Sequence, residues 1–275
     1  MRVGLVQLCA SDDPQENLLT VSNYIAEAAG KGAKFVLTPE VTNCVSASRS
    51  HQRAVLATED DDLTLSMLQS EAARHGIWLL IGSLALKARD EERFVNRSFL
   101  ISPKGQIAAR YDKIHMFDVA ISDVETYRES DGYRPGSKAV LADMDGVPLG
   151  MTICYDVRFP YLYRGLAKSG AKIMTIPSAF SRETGEAHWE VLLRARAIET
   201  GSFVLAPAQC GTHAVSKGRQ RSTYGHSLVI DPWGRVLLDG GTSPGVHTVA
   251  LNVEEVDDVR RRIPSLAHER DYTKA

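Results

Sequence analysis

Apolar runs of strand length alternate with amphipathic helical segments along most of the chain. Val3–Leu8 is a short apolar run, and Pro14–Gly30 repeats its apolar positions with the 3.6-residue period of a helix. The same patterns predict strands at Ala33–Leu37, Ile77–Leu84, Phe94–Ile101, Gln106–Tyr111, Lys138–Leu141, Val147–Ile153, Ala171–Ile176, Phe203–Ala206 and Val246–Val253, and helices near Leu63–His75, Pro160–Lys168 and Glu186–Thr200. Such alternation is typical of an α/β fold.

One stretch of sequence occurs twice in similar form. Gly32–Pro39 resembles Gly170–Pro177, and each follows a helical pattern and ends its apolar run at a proline. If this is a true repeat, it indicates two similar β-α-β halves that face each other. Because no Gly/Ser/Pro-rich linker separates the halves, we expect residues 1–275 to form a single domain.

Charge and composition exclude several classes of protein. The 275 residues include 32 Lys and Arg against 34 Asp and Glu, a net charge of −2, so neither nucleic acid nor an anionic membrane surface is an expected partner. No apolar run approaches the ~20 residues that span a bilayer. Residues 1–13 turn acidic too soon for a signal peptide, so a cytoplasmic location is expected.

The four cysteines are Cys9, Cys44, Cys154 and Cys210, and no CxxC pair is present. That spacing favours free thiols over a metal site or a disulfide framework. Cys154 alone lies between an apolar strand and a helix start marked by Pro160. The helix dipole is expected to favour a thiolate there, although a buried structural cysteine is the alternative.

A nucleophilic thiol needs a base, and none of the eight histidines lies in a recognisable cysteine-protease context. Two other ionisable residues follow predicted strands, Glu40 after Pro39 and Lys113 after Gln106–Tyr111. Each could be a surface charge. Together with Cys154 they could supply a proton acceptor and an oxyanion partner.

Two further segments have features of functional sites. Residues 241–245 match the GxSxG pattern, but a strand is predicted after them instead of the helix that a serine-nucleophile elbow requires, so a hairpin turn is expected. The polar segment Phe117–Ser137 is the longest expected loop, and long loops in compact domains are often functional.

Three blocks of sequence resemble the catalytic blocks of the nitrilase superfamily. They are Leu37–Glu40, Tyr111–Asp118 and Ile153–Pro160, in the superfamily's order. The resemblance extends over essentially the whole chain. It implies a four-layer α-β-β-α sandwich, a Glu-Lys-Cys triad that uses no metal or cofactor, and dimers or larger homo-oligomers that pair through a helical face.

The resemblance assigns a role to each matching residue. Glu40 is the general base, Lys113 the oxyanion partner and Cys154 the nucleophile. Glu129 looks like the second glutamate that orients the lysine in many members. The backbone N–H of Tyr155 is expected in the oxyanion hole. The implied reaction is hydrolysis of a small-molecule amide through a thioester.

Later segments resemble the Nit-type amidases. They are Pro177–Phe180, Arg194–Thr200, Ala208–Gly211, Tyr224–Ser227 and Asp231–Gly234. They are closer to the branch that cleaves deaminated glutathione than to ω-amidase, which acts on 2-oxoglutaramate and is the alternative. A non-catalytic interaction module is the alternative from another class.

The expected substrate carries carboxylates, which arginine binds in a bidentate manner. Arg158 and Arg182 are the candidates for this contact, and Thr184 is also expected beside the substrate. Either arginine could instead belong to a surface ion pair. Arg182-Glu183 departs from the smaller or apolar residues expected before Thr184-Gly185, which leaves the exact amide open.

Overall fold

The computed structural model describes residues 1–121 and 126–273, within which the chain forms six α-helices and sixteen β-strands. The helices are α1 (Pro14–Gly30), α2 (Arg49–Val55), α3 (Leu63–His75), α4 (Pro160–Lys168), α5 (Arg182–Thr200) and α6 (Glu255–Arg262). The strands are β1 (Arg2–Gln7), β2 (Phe35–Leu37), β3 (Trp78–Lys87), β4 (Phe94–Ile101), β5 (Ile107–Asp112), β6 (Asp118–Ala120), β7 (Thr126–Arg128), β8 (Val140–Met144), β9 (Val147–Met151), β10 (Ile173–Thr175), β11 (Phe203–Ala206), β12 (Cys210–Thr212), β13 (Ser222–Tyr224), β14 (Leu228–Ile230), β15 (Val236–Asp239) and β16 (Gly245–Ala250).

Two six-stranded sheets have matching strand orders. The first runs β16-β1-β2-β3-β4-β5 and the second β15-β14-β11-β10-β9-β8. In each, three parallel strands lie at the centre, with β2 between β1 and β3, and β10 between β9 and β11. The similar segments of sequence therefore occupy equivalent places. In each, a glycine with positive φ ends the preceding helix, at 82° for Gly32 and 106° for Gly170.

The sheets stack as the two inner layers of an α-β-β-α sandwich. Leu5 and Leu37 from the first sheet pack in one core with Leu149 and Val204 from the second. Helices α1 and α3 cover the outer face of the first sheet, and α4 and α5 cover that of the second. This confirms the predicted fold. Within the described residues, no helix combines the length and apolar character needed to cross a membrane.

The structure corrects three local expectations. Helix α5 begins at Arg182, a turn earlier than predicted. In this first turn the buried contact is made by Gly185, which lies against Tyr224. Because glycine adds no apolar side chain, the helical pattern is not visible in the sequence there. Segment Phe117–Ser137 contains β6, β7 and a 3₁₀ turn, while its residues 122–125 lie outside the described ones. Residues 241–245 do form a turn, but the strands flanking it, β15 and β16, pair in different sheets and form no hairpin.

Gly82 allows β3 to lie directly against the segment that carries Glu40. A Cβ atom at Gly82 would lie 2.0 Å from the carbonyl oxygen of Thr38 and 2.5 Å from that of Pro39. The Gly82 N–H also donates to Thr38 Oγ1 at 3.1 Å. Because both crowding atoms belong to the backbone, a side chain here would displace the residues directly before Glu40.

We expect Gly82→Ala to lower the free energy of unfolding by about 3 kcal/mol, because backbone must move to admit the methyl group. Urea denaturation measures the change. The matched control is Gly165→Ala in α4, where nothing lies within 4 Å of the added carbon. That control is expected to stabilise the protein by about 0.5–1 kcal/mol. Equal stabilities for the two variants would contradict the close approach at Gly82.

Candidate active site

Segments that follow β2, β5 and β9 bring Glu40, Lys113 and Cys154 together. Only 4% of Glu40, 2% of Lys113 and 7% of Cys154 is exposed to solvent. Cys154 opens a five-residue 3₁₀ turn with a φ of 48°, and Val41 has a φ of 47°. Positive φ is strained for both residue types, and such strain persists only where the surrounding structure holds it.

The ammonium of Lys113 lies between two carboxylates. Its Nζ donates to Glu40 Oε1 at 2.8 Å and to Glu129 Oε1 and Oε2 at 3.0 and 2.9 Å. Asn96 Nδ2 also donates to Glu40 Oε1, at 2.9 Å. The Ala179 N–H donates to Glu40 Oε2 at 2.8 Å. Each charge in this cluster is therefore neutralised or hydrogen-bonded.

These contacts decide the protonation of the cluster. Burial by itself raises the pKa of Glu40, but the Lys113 charge and hydrogen bond outweigh it and hold that pKa below its ordinary 4.5. Burial by itself lowers the pKa of Lys113, but the charges of Glu129 and Glu40 raise it well above 10.5. Glu40 is therefore a carboxylate and Lys113 an ammonium at neutral pH.

The thiol of Cys154 differs from the sequence-based expectation of a thiolate. Burial and the negative charge of Glu40 raise its pKa well above the ordinary 9.0, despite the opposing effect of Lys113. The dipole of the 3₁₀ turn does not reverse this rise in pKa, because the turn is only five residues long. The resting group is therefore a neutral thiol beside a carboxylate that can accept its proton.

Asp156 ties the block that contains Lys113 to the block that contains Cys154. Its carboxylate, which is fully buried, accepts hydrogen bonds from the Tyr111 hydroxyl at 2.6 Å and the His115 N–H at 3.0 Å. It also accepts from the Ile153 N–H, at 2.9 Å, directly before the cysteine. One side chain thus links the chain on both sides of Lys113 to the turn that carries the thiol.

The triad opens into a cavity of about 240 Å³. Tyr155 and Thr184, both predicted beside the substrate, line it. The Tyr155 N–H lies in the first turn of the 3₁₀ segment, where N–H groups lack an acceptor within the helix. The lining also contains side chains that the sequence had not indicated, namely Cys44, Arg49, Asn96, Arg128 and Arg221.

The two arginines predicted to bind carboxylate lie outside this lining. The side chain of Arg182 is 77% exposed and pairs with Glu186 at 3.5 Å. Arg158 lies over the rings of Tyr155 and Phe180 and contacts His188 Nδ1 at 3.2 Å. Arg182 thus forms the surface ion pair that was the alternative to carboxylate binding, and neither arginine is in the lining of the cavity.

Asn96 and Arg221 show why the sequence missed part of the lining. Asn96 is a polar residue inside the mostly apolar strand β4, and this departure from the apolar pattern is the signal that could have indicated it. Arg221 lies in a polar, glycine-containing stretch that resembles an ordinary surface loop. Its contact with Ala179, across 42 residues of sequence, has no local pattern.

Comparison with known proteins places the fold and site in a family. The carbon-nitrogen hydrolase model matches residues 2–261, so the chain belongs to that family and is a hydrolase. It is 38% identical to the deaminated glutathione amidase of Yersinia enterocolitica, over 98% of this chain and 92% of that protein.

Two further comparisons agree with this assignment. The deaminated glutathione amidase of Homo sapiens is 36% identical, over 98% of this chain and 82% of that one. The crystal structure of the C. elegans NitFhit protein superposes with a TM-score of 0.89 at 33% identity, over 98% of this chain and 65% of that longer one. The match thus includes the whole of the sandwich described above.

Proposed function

We propose that the protein hydrolyses the amide bond of deaminated glutathione to give 2-oxoglutarate and cysteinylglycine. The observation that carries the chemistry is the contact of an ionised Glu40 with both Lys113 and the neutral thiol of Cys154. The choice of amide is supported by the names of the bacterial and mammalian relatives.

The first half of the proposed reaction forms a thioester. Glu40 accepts the thiol proton as the sulfur of Cys154 attacks the amide carbonyl carbon. The developing oxyanion is stabilised by Lys113 Nζ and the Tyr155 N–H, each donor contributing roughly 3–4 kcal/mol. The carbon–nitrogen bond then breaks, and the protonated Glu40 gives its proton to the leaving amine.

The second half returns the enzyme to its resting state. Glu40, again a carboxylate, accepts a proton from a water molecule as the oxygen attacks the thioester carbon. The carbon–sulfur bond breaks, the acid leaves, and the proton on Glu40 returns to the sulfur of Cys154. In this scheme Glu129 positions Lys113, and its second oxygen accepts the Phe117 N–H at 2.7 Å.

The organisation of the chain is proposed as well. Because one apolar core joins both sheets, we infer a single domain over residues 1–275. We also infer a homodimer, or a larger assembly built from it, that pairs through the face of α4 and α5. Its support is three exposed apolar side chains on those helices, Tyr161, Val191 and Ile198. The cytoplasmic location stays a prediction.

We expect Cys154→Ala to lower kcat/KM for deaminated glutathione by more than about 10⁴-fold, because the attacking atom is lost. Release of 2-oxoglutarate measures turnover, with 2-oxoglutaramate assayed in parallel. Cys9→Ala, which removes an exposed thiol outside the cavity, is the matched control. Intact-mass spectrometry of quenched wild-type enzyme should detect an acyl group on Cys154.

Three outcomes of this experiment have different meanings. Wild-type enzyme that prefers 2-oxoglutaramate would reassign the substrate to that of ω-amidase. Wild-type enzyme that turns over neither compound contradicts the proposed function. A Cys154→Ala variant with full activity contradicts the proposed mechanism but does not change the assignment of the substrate.

The pH profile of kcat/KM should be governed by Glu40 and Lys113. The pKa of Glu40 is lowered, so we expect activity, and the stability that the Glu40 carboxylate contributes, to be fully present above pH 4.5. Both are expected to be lost as the pH falls below 4.5 and Glu40 becomes protonated. Since the pKa of Lys113 is raised, its contribution persists to above pH 10.5. Steady-state rates, with circular dichroism at each pH to monitor folding, test this. A rate that continues to rise as the pH increases above 9 would instead indicate that a thiolate must form first, since the pKa of Cys154 is raised above 9.0.

Sedimentation velocity tests the proposed dimer. Wild-type protein is expected at about twice the chain mass of 30.1 kDa. Val191→Asp should shift it toward the monomer, because a charge would then be buried in the interface. Leu19→Asp, at a position 71% exposed on α1 in the opposite helical layer, is the matched control and should leave the mass unchanged. A monomeric wild type is incompatible with the inference.

A further inference from the structure

The active-site cavity contains more positive than negative groups. Four cationic side chains and two carboxylates line it, and they are Arg49, Lys113, Arg128 and Arg221 against Glu40 and Glu129. Both carboxylates already bind Lys113. The arginines therefore lack a carboxylate partner within the lining. Arg49 and Arg221 are half-buried, and a half-buried cation without a counter-ion is costly, so this arrangement favours an anion in the cavity.

Arg221 has the clearest unused binding capacity among these arginines. One Nη nitrogen donates to the carbonyl oxygen of Ala179, and the guanidinium lies over the ring of Tyr127 with its central carbon 5.7 Å from the ring centroid. Its Nε is buried and has no hydrogen-bond partner among the residues that the structure describes. The guanidinium is thus fixed in place, and one of its donors lacks a partner among the described residues.

Arg221 also lies next to the triad. Ala179, which accepts its hydrogen bond, donates its own N–H to Glu40 Oε2. Only one residue therefore separates the guanidinium from the catalytic carboxylate. Arg49 is placed differently, because its Nη2 contacts the carbonyl oxygen of Arg128 at 3.4 Å and its guanidinium lies over the ring of Tyr133.

We propose that Arg221 binds a carboxylate of the substrate and thereby selects anionic amides. The proposal rests on the function proposed above and deepens it. A carboxylate can accept two parallel hydrogen bonds from one guanidinium, which lysine cannot reproduce. Deaminated glutathione offers one carboxylate in the acyl half and one in the leaving half, and either supplies this chemistry.

The test compares Arg221→Gln with wild type on deaminated glutathione and on its dimethyl ester, which is uncharged at both ends. We expect kcat/KM for the diacid to fall about 100-fold and that for the diester to fall far less, so that the preference for the acid collapses. Arg221→Lys should recover only part of the preference. Arg182→Gln, an exposed arginine near the same cavity, should leave the preference unchanged. An equal fall for both compounds overturns the proposal, since it indicates a purely structural role.

A third substrate identifies which carboxylate is bound. The compound 2-oxoglutaramate carries only the carboxylate of the acyl half. A similar fall on 2-oxoglutaramate assigns Arg221 to the acyl half, and a fall confined to deaminated glutathione assigns it to the leaving half. Both results support carboxylate binding at Arg221.

A measurement without turnover separates this proposal from the proposed function. Alkylation of Cys154 by iodoacetamide is followed by peptide mass spectrometry, which distinguishes this thiol from the exposed Cys9. The two products, 2-oxoglutarate and cysteinylglycine, carry the carboxylates of the acyl half and the leaving half, and both should slow this alkylation in wild type. In Arg221→Gln the concentration of one of these products needed for protection should rise about 100-fold. Unchanged protection by both products overturns the proposal for Arg221, whichever amide the wild type hydrolyses.

Discussion

The buried ammonium of Lys113 is the interaction on which the site depends. A single charge at 2% exposure would be strongly destabilising by itself, and it persists because the carboxylates of Glu40 and Glu129 lie within 3.0 Å. The same contacts keep Glu40 ionised in a place where burial favours the neutral acid. Removing the Lys113 charge would leave two buried carboxylates uncompensated. The cluster is therefore a structural unit as well as a catalytic one.

That cluster also explains the state of the nucleophile. Cys154 lies beside a carboxylate that stays negative, so its thiol keeps its proton until a substrate carbonyl is available. A base and a neutral thiol held in contact need no free thiolate, and because the thiolate is the reactive species, oxidation and alkylation of the resting sulfur are slowed. The strained φ of Cys154 is consistent with this role, since the turn holds the sulfur where the base can reach it.

The scaffold holds these charges by joining distant parts of the chain. Asp156 connects the residues flanking Lys113 to the cysteine turn, and Gly82 lets β3 lie against the backbone before Glu40. The two β-α-β halves then stack so that Glu40 comes from one sheet and Cys154 from the other. The arginines that line the cavity supply positive charge for an anionic substrate, although the chain as a whole has a net charge of −2.

Sequence patterns alone determined the order of most helices and strands and indicated a repeat of two halves, and the resemblance of three blocks to the nitrilase superfamily identified the residues that meet at the triad. These features are local, because helical period, strand length and short motifs depend on residues that are neighbours in the sequence. Tertiary structure decided the protonation of Cys154, since its pKa depends on burial and on Glu40, which is 114 positions away in the chain. It likewise decided that Arg221 lines the cavity, whose lining includes neither Arg158 nor Arg182. The reason is physical: a cavity wall is assembled from loops that meet only when the two sheets pack, and no local pattern records which side chains then face inward.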